Sequence, residues 1–204
     1  RTDEMYGEDP YLVSRIGVAA IKGFQGEDGK IDENHVMATG KHFMGYGQPI
    51  GGTNGGPANY SERIMREIFL PPFKSIIQEG KIWSIMPAYN EIDGIKCHFN
   101  KEYLQDILRG ELGFNGLVVT DYNGIRAGQW LYGDTAVGAM HSVMLGNHID
   151  LPSGGFYKKL LPLVKSGELS KSVIDSAVSK VLEIKFRLGL FENPYTNPGD
   201  YPET

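Results

Sequence analysis

With 204 residues, 41% of them hydrophobic and 22% charged, the chain is long enough to bury a sizeable core. Twenty Lys and Arg against 25 Asp and Glu leave a net charge of -5 with no basic stripe to track phosphates. Nucleic acid is therefore excluded as an expected partner, and a neutral or weakly charged substrate fits better. The single cysteine, Cys97, excludes an internal disulfide and a thiolate metal cluster, and no apolar run is long enough to span a bilayer. The chain opens on Arg1 rather than Met, so its true N-terminus and any signal peptide are expected to lie outside it.

Strand-like and helix-like segments alternate along the chain, which argues an α/β class. Leu12, Ile16, Ala19 and Ala20 recur at helical spacing from Tyr11 to Phe24, and the loop Gly26-Glu27-Asp28-Gly29 ends that helix. Val36-Met37-Ala38-Thr39 is the first strand expected. Ser61 is placed to cap a helix running to about Gln78, with Ile64, Ile68 and Phe69 on one face and Pro71-Pro72 kinking or interrupting it. Ser84-Ile85-Met86 is the next strand, and a helix from about Lys101 to Glu111 leads to Leu117-Val118-Val119. A helix near Thr135 to Leu145, a short strand Ile149-Asp150-Leu151, and helices at about Phe156 to Lys165 and Ser170 to Leu188 follow. The last carries Ile174, Val178, Val181, Ile184 and Leu188 as an apolar stripe.

Four strand candidates end in groups able to do chemistry: Lys41-His42, Tyr89-Asn90, Asp121 and Asp150. After a lone strand, an Asp more often caps the next helix or starts a turn. Four such endings in succession are what the carboxyl-terminal mouth of a β/α barrel requires, because barrel geometry gathers strand ends around one opening. An eight-stranded barrel needs about 250 residues, and only four strands are found, so a (β/α)8 TIM-barrel-like fold is expected, with only a partial barrel in this chain. Its open edges require missing strands from another segment or chain. The partial barrel domain is placed at residues 1–191, and 192–204 as an exit linker rich in Asn and Pro.

These residues also carry a resemblance. Tyr6-Gly7-Glu8-Asp9-Pro10-Tyr11-Leu12 with Arg1 and Glu4, then Lys41-His42-Phe43, Ser61-Glu62-Arg63, and Ser84 through Gly94 are similar to successive blocks of the family 3 glycoside hydrolases, the β-glucosidase and β-xylosidase group. Val119-Thr120-Asp121-Tyr122 resembles the block holding that family's nucleophile, with Thr where Ser is usual. Gly189 to Tyr195 resembles the end of its barrel domain, which precedes a second α/β domain. The resemblance implies retaining, exo-acting hydrolysis of nonreducing-end β-linked sugars on oligosaccharide or aryl β-glycoside substrates, β-glucosidase ahead of β-xylosidase, with Asp121 as nucleophile. It implies Arg1, Lys41, His42, Tyr89 and Tyr122 as substrate-binding residues. A second carboxylic acid about 5 Å from the nucleophile must protonate the leaving oxygen. In the family's larger members it comes from the second domain. Glu91 and Asp93 are poor substitutes, since Glu91-Ile92-Asp93-Gly94 reads as a structural turn. An inert sugar-binding or assembly fragment without acid/base is the alternative for the isolated chain.

Physical roles can be given for several of these residues independently. A Lys41 or His42 side chain at a strand end can donate to sugar hydroxyls, and a nearby cation keeps Asp121 ionised. Tyr89 can orient Asp121 through its hydroxyl. Tyr122 and Trp130 offer rings for sugar stacking, while the role of Asp150 stays open between ligand and helix cap. Gly45 to Pro57 lacks the Gly-Lys-Ser/Thr ending of a phosphate loop and reads as a flexible loop over the sugar site. His35, His98, His141 and His148 lack metal-ligand spacing and are expected on the surface or satisfied in the core, so no metal or cofactor is expected. Localisation stays open, with the periplasm or secretion favoured over the cytoplasm.

Overall fold

A computed structural model describes residues 4–195 and 199. Asp9 opens helix α1 (Pro10–Gln25): its carboxylate accepts the Leu12 N–H at 2.6 Å, and Pro10, which has no N–H to leave unpaired, sits in the first turn. Gly26 ends the helix at φ 85°. Gln25, fully buried, takes the Ala38 and Trp83 N–H groups on its side-chain oxygen and donates to the Lys81 carbonyl, tying the approaches to the first two strands together.

Strands β1 (Thr39–Phe43), β2 (Ser84–Pro87) and β5 (Leu117–Val118) form a parallel sheet in the order β1-β2-β5, and a parallel bridge between Val119 and Ile149 extends it. Neighbours in the sheet follow chain order, with helical segments between them, as in a barrel rather than in a doubly wound sheet, where the order reverses. The chain is α/β and holds a partial (β/α) barrel. Because all strands point the same way, the residues after Phe43, Pro87, Val119 and Ile149 share one rim.

The first strand differs from expectation: it begins at Thr39, so Lys41 and His42 lie within it. Val36 is exposed, and its N–H is spent on the Phe24 carbonyl. The expected strand at 149–151 is reduced to the single bridge at Ile149.

Ser61 caps α2 (Glu62–Ile64) through its hydroxyl, and the coil then widens to a π-helix at Met65–Phe69 before α3 (Leu70–Gln78). The two prolines explain this. Neither Pro71 nor Pro72 can donate to a continuing ladder, so the Leu70 N–H closes on the Met65 carbonyl and the prolines fall in the first turn of α3, where donors are not needed. The widened turn rotates the apolar face. Ile64 and Ile68 are exposed, and Met65, Leu70, Ile76 and Ile77 take the buried positions. Glu102–Glu111 is also a π-helix, burying Tyr103, Leu104, Ile107 and Leu108.

A two-stranded hairpin, β3 (Glu91–Ile92) and β4 (Ile95–Lys96), turns at Asp93 and Gly94, both with positive φ, and Glu91 pairs with Lys96 at 3.1 Å. The lower half of the chain supplies α4 (Ala127–Tyr132), α5 (Thr135–Met144), α6 (Leu160–Ser166) and α7 (Lys171–Arg187). Gly128 and Gly138 face each other so closely that a Cβ on Gly128 would stand 2.6 Å from the Gly138 Cα, which lets α4 and α5 touch backbone to backbone. On α7 the buried positions are Ala177 and Ile184, the latter packed with Trp83, Leu117 and Val119. Val178, expected in the buried stripe, is exposed with Leu182 and Phe186 on a second apolar stripe.

Candidate active site

Asp121 stands two residues beyond Val119, whose N–H bonds the Ile85 carbonyl; the Thr120 N–H bonds Ile149, and the buried Thr120 hydroxyl accepts the Leu151 N–H. The residue is thus delivered by hydrogen bonds to both neighbouring strand positions. One carboxylate oxygen, Oδ1, lies 2.9 Å from the Tyr89 hydroxyl and accepts the Tyr122 N–H at 2.7 Å. The other, Oδ2, lies 3.4 Å from His42 Nε2. The side chain is only 15% exposed, so it is shielded yet reachable from the rim.

Tyr89 follows β2. Its hydroxyl has two acceptors for one proton, Asp121 Oδ1 and the Tyr122 carbonyl at 2.5 Å. Burial, and then the Asp121 carboxylate, push the phenol well above its ordinary range, so it stays a donor. His42 is buried and packs at a tilt against Tyr46, with ring centroids 4.0 Å apart. Lys41 is exposed, and no ion pair joins it to Asp121 among the described residues. The imidazole of His42, rather than the ammonium of Lys41, is therefore the basic group next to the carboxylate. Tyr122 is exposed beside Asp121, and Trp130 is exposed on α4. Arg1 lies outside the described residues.

Asp150 caps. Its Oδ2 accepts the Phe156 and Tyr157 N–H groups at 2.8 and 3.2 Å, and burial raises its pKa against those two bonds. Glu91 and Asp93 belong to the hairpin, as a structural turn requires. The Gly45–Pro57 segment, read from sequence as flexible, is tethered where Ile50 N–H meets the Pro57 carbonyl and Lys96 Nζ donates to the Gly55 carbonyl. Among the described residues no cluster of three or more His, Cys, Asp or Glu could hold a metal.

His98 is the residue whose part in the site the sequence did not reveal. It is 1% exposed, and its Nε2 accepts the backbone N–H of Asp121 at 3.1 Å. His148 similarly accepts the Val118 N–H on Nδ1. Burial, the largest cause for both, lowers each from 6.5 to about 4. The unfolded chain therefore takes up these protons first. The stabilisation is complete above about pH 6.5 and is lost progressively as pH falls toward 4, by on the order of 3 kcal/mol per histidine. Urea midpoints measured at pH 7, 5.5 and 4.5 are expected to fall steeply across that window, and a flat series would contradict the neutral burial of both rings.

Fold and site together define a β/α-barrel-type domain with an oriented carboxylate at its strand ends. Residues 1–184 match the glycosyl hydrolase family 3 N-terminal domain, and the chain belongs to that family. It is 40% identical over 206 residues to a β-xylosidase of Formosa agariphila, covering 94% of this chain and 28% of that protein. It is 36% identical over 208 residues to a lysosomal β-glucosidase of Dictyostelium discoideum, covering 97% of this chain and 25% of that protein. A periplasmic β-glucosidase of Salmonella typhimurium is 32% identical over 203 residues, with 98% and 26% covered. The crystal structure of a β-glucosidase from Listeria innocua in complex with isofagomine superposes with a TM-score of 0.91 at 32% identity, covering 100% of this chain and 29% of that one. The chain thus spans about a quarter of the length of its relatives.

Proposed function

We propose that this chain supplies the nucleophile half of a retaining, exo-acting β-glycosidase, with β-glucosides as the first substrate class and β-xylosides the second. The observation that carries the reading is the Asp121 carboxylate, held on Oδ1 by the Tyr89 hydroxyl and the Tyr122 amide with His42 beside Oδ2, in a family 3 N-terminal domain. In the first step Asp121 forms a bond to the anomeric carbon as the bond to the leaving oxygen breaks and that oxygen takes a proton from a carboxylic acid. In the second, the same acid, now a base, deprotonates water, which displaces Asp121. The acid is proposed to come from the remainder of the protein, in line with a chain that spans about a quarter of its relatives' length. Lys41, His42, Tyr89, Tyr122 and Arg1 are the proposed sugar contacts. Residues 1–191 form the barrel part and 192–204 the linker onward. A periplasmic or secreted location is favoured, in line with the name of the Salmonella relative.

A slow 2-deoxy-2-fluoro β-glucosyl substrate tests this. Mass spectrometry is expected to show one added sugar, located on Asp121 by peptide mapping, in the complete protein. A label there but not on the isolated chain means that the chain alone is an inert part of the enzyme; a label on another residue, or none in either, overturns the assignment.

A further inference from the structure

We propose that His98 is a positioning residue for the Asp121 carboxylate, pinning the turn that carries Asp121 to the strand end that carries Tyr89. The inference rests on the reading of Asp121 as nucleophile. A backbone N–H can only donate, so the 3.1 Å contact requires a lone pair on His98 Nε2 and a neutral ring protonated on Nδ1. That ring also lies beside the Tyr89 ring, with centroids 6.1 Å apart. The same side chain therefore sits between the residues that follow β2 and β5, from which the two ends of the Tyr89–Asp121 hydrogen bond arise.

The turn is built around the ring. The Gly124 N–H closes on the Asp121 carbonyl at 2.9 Å, with Asn123 at φ 57°. A Cβ on Gly124 would stand 2.2 Å from His98 Nε2, so only glycine lets the turn settle against the imidazole. His98 is itself held, since Asn147 donates to its carbonyl at 3.0 Å. With its N–H fixed on His98 and its carbonyl on Gly124, Asp121 has both flanking peptide planes set, and the direction of its Cβ with them. Tyr89, the Tyr122 amide and His42 then fix the carboxylate. A core histidine that only filled space would need no acceptor on this amide.

Misplacing a reacting group by about 1 Å costs on the order of 10²-fold in rate. Three variants of the complete protein separate the roles. His98→Phe keeps a ring and removes the acceptor, and His98→Asn keeps a polar group too short to reach. His98→Gln can place an oxygen near the position of Nε2. The expected result is a fall of about 10²-fold in kcat and in the rate of Asp121 labelling for the first two. KM and the affinity of a competitive ground-state inhibitor should stay within about threefold, and His98→Gln should recover at least about tenfold of the loss. Wild-type labelling rates in His98→Asn, or a His98→Gln variant as impaired as His98→Asn, would overturn the proposal. The Asn and Gln pair decides the matter even where the Phe variant does not fold. Absence of any label on Asp121 in the wild-type protein instead sinks the nucleophile assignment itself.

Discussion

Asp121→Asn is expected to lower kcat on a chromogenic β-glucoside by on the order of 10⁴-fold or more, the scale on which removal of a nucleophile acts. The amide is close in shape to the carboxylate, and its oxygen can still accept from the Tyr89 hydroxyl and the Tyr122 N–H. What it loses is the charge beside His42 and the ability to form the glycosyl ester. The melting temperature should therefore change little while turnover collapses, a split that separates chemistry from folding. A variant retaining a tenth of wild-type turnover with unaltered labelling elsewhere would remove Asp121 from that role.

Phe43→Ala should produce the largest loss of stability, about 3–5 kcal/mol. Phe43 is fully buried, and its ring meets Phe73 edge-on at 5.0 Å and Tyr103 at 6.5 Å. Those partners come from α3 and from the π-helix at Glu102–Glu111, so one side chain joins β1 to two layers of helix. Truncation loses the transferred apolar surface and leaves a cavity that three separate elements cannot collapse to fill. Urea unfolding of the domain measures the cost, and a loss under about 1 kcal/mol would mean that the site repacks freely. The variant also bears on the site, because His42 precedes Phe43 on the same strand.

Much of this architecture was legible in the residues. A β-branched run ending on a carboxylate, Leu117 to Asp121, marked both a buried strand and its chemical end, and Glu91-Ile92-Asp93-Gly94 marked a turn, although not the hairpin built on it. The apolar period located the helices to within a few residues, except α4, which it did not give. It failed at Ile64, Ile68 and Val178, where an α-helical period was assumed. Two π segments shift the facing by the extra residue per turn, and on α7 two stripes compete for one buried face. Lys41 and His42 could not be ranked from sequence because the register of β1 shifts between Lys41 and Phe43, and a simple two-residue alternation does not report such an irregularity. His98 left no trace at all, since its function is to accept one backbone N–H. Nothing in periodicity or composition reports an acceptor for a donor 23 residues away.

The parallel order of the sheet has a kinetic side. Among the described residues only β3 and β4 pair locally, and a hairpin of that kind closes in about 1–10 μs. Every pairing among β1, β2 and β5 encloses at least one whole helical segment, so loop entropy is spent before any strand hydrogen bond repays it. The Tyr89–Asp121 bond spans 32 residues and joins two such strand ends. The Tyr89 and His42 contacts that hold the Asp121 carboxylate therefore form only once strand ends 32 or more residues apart in the chain have been brought together.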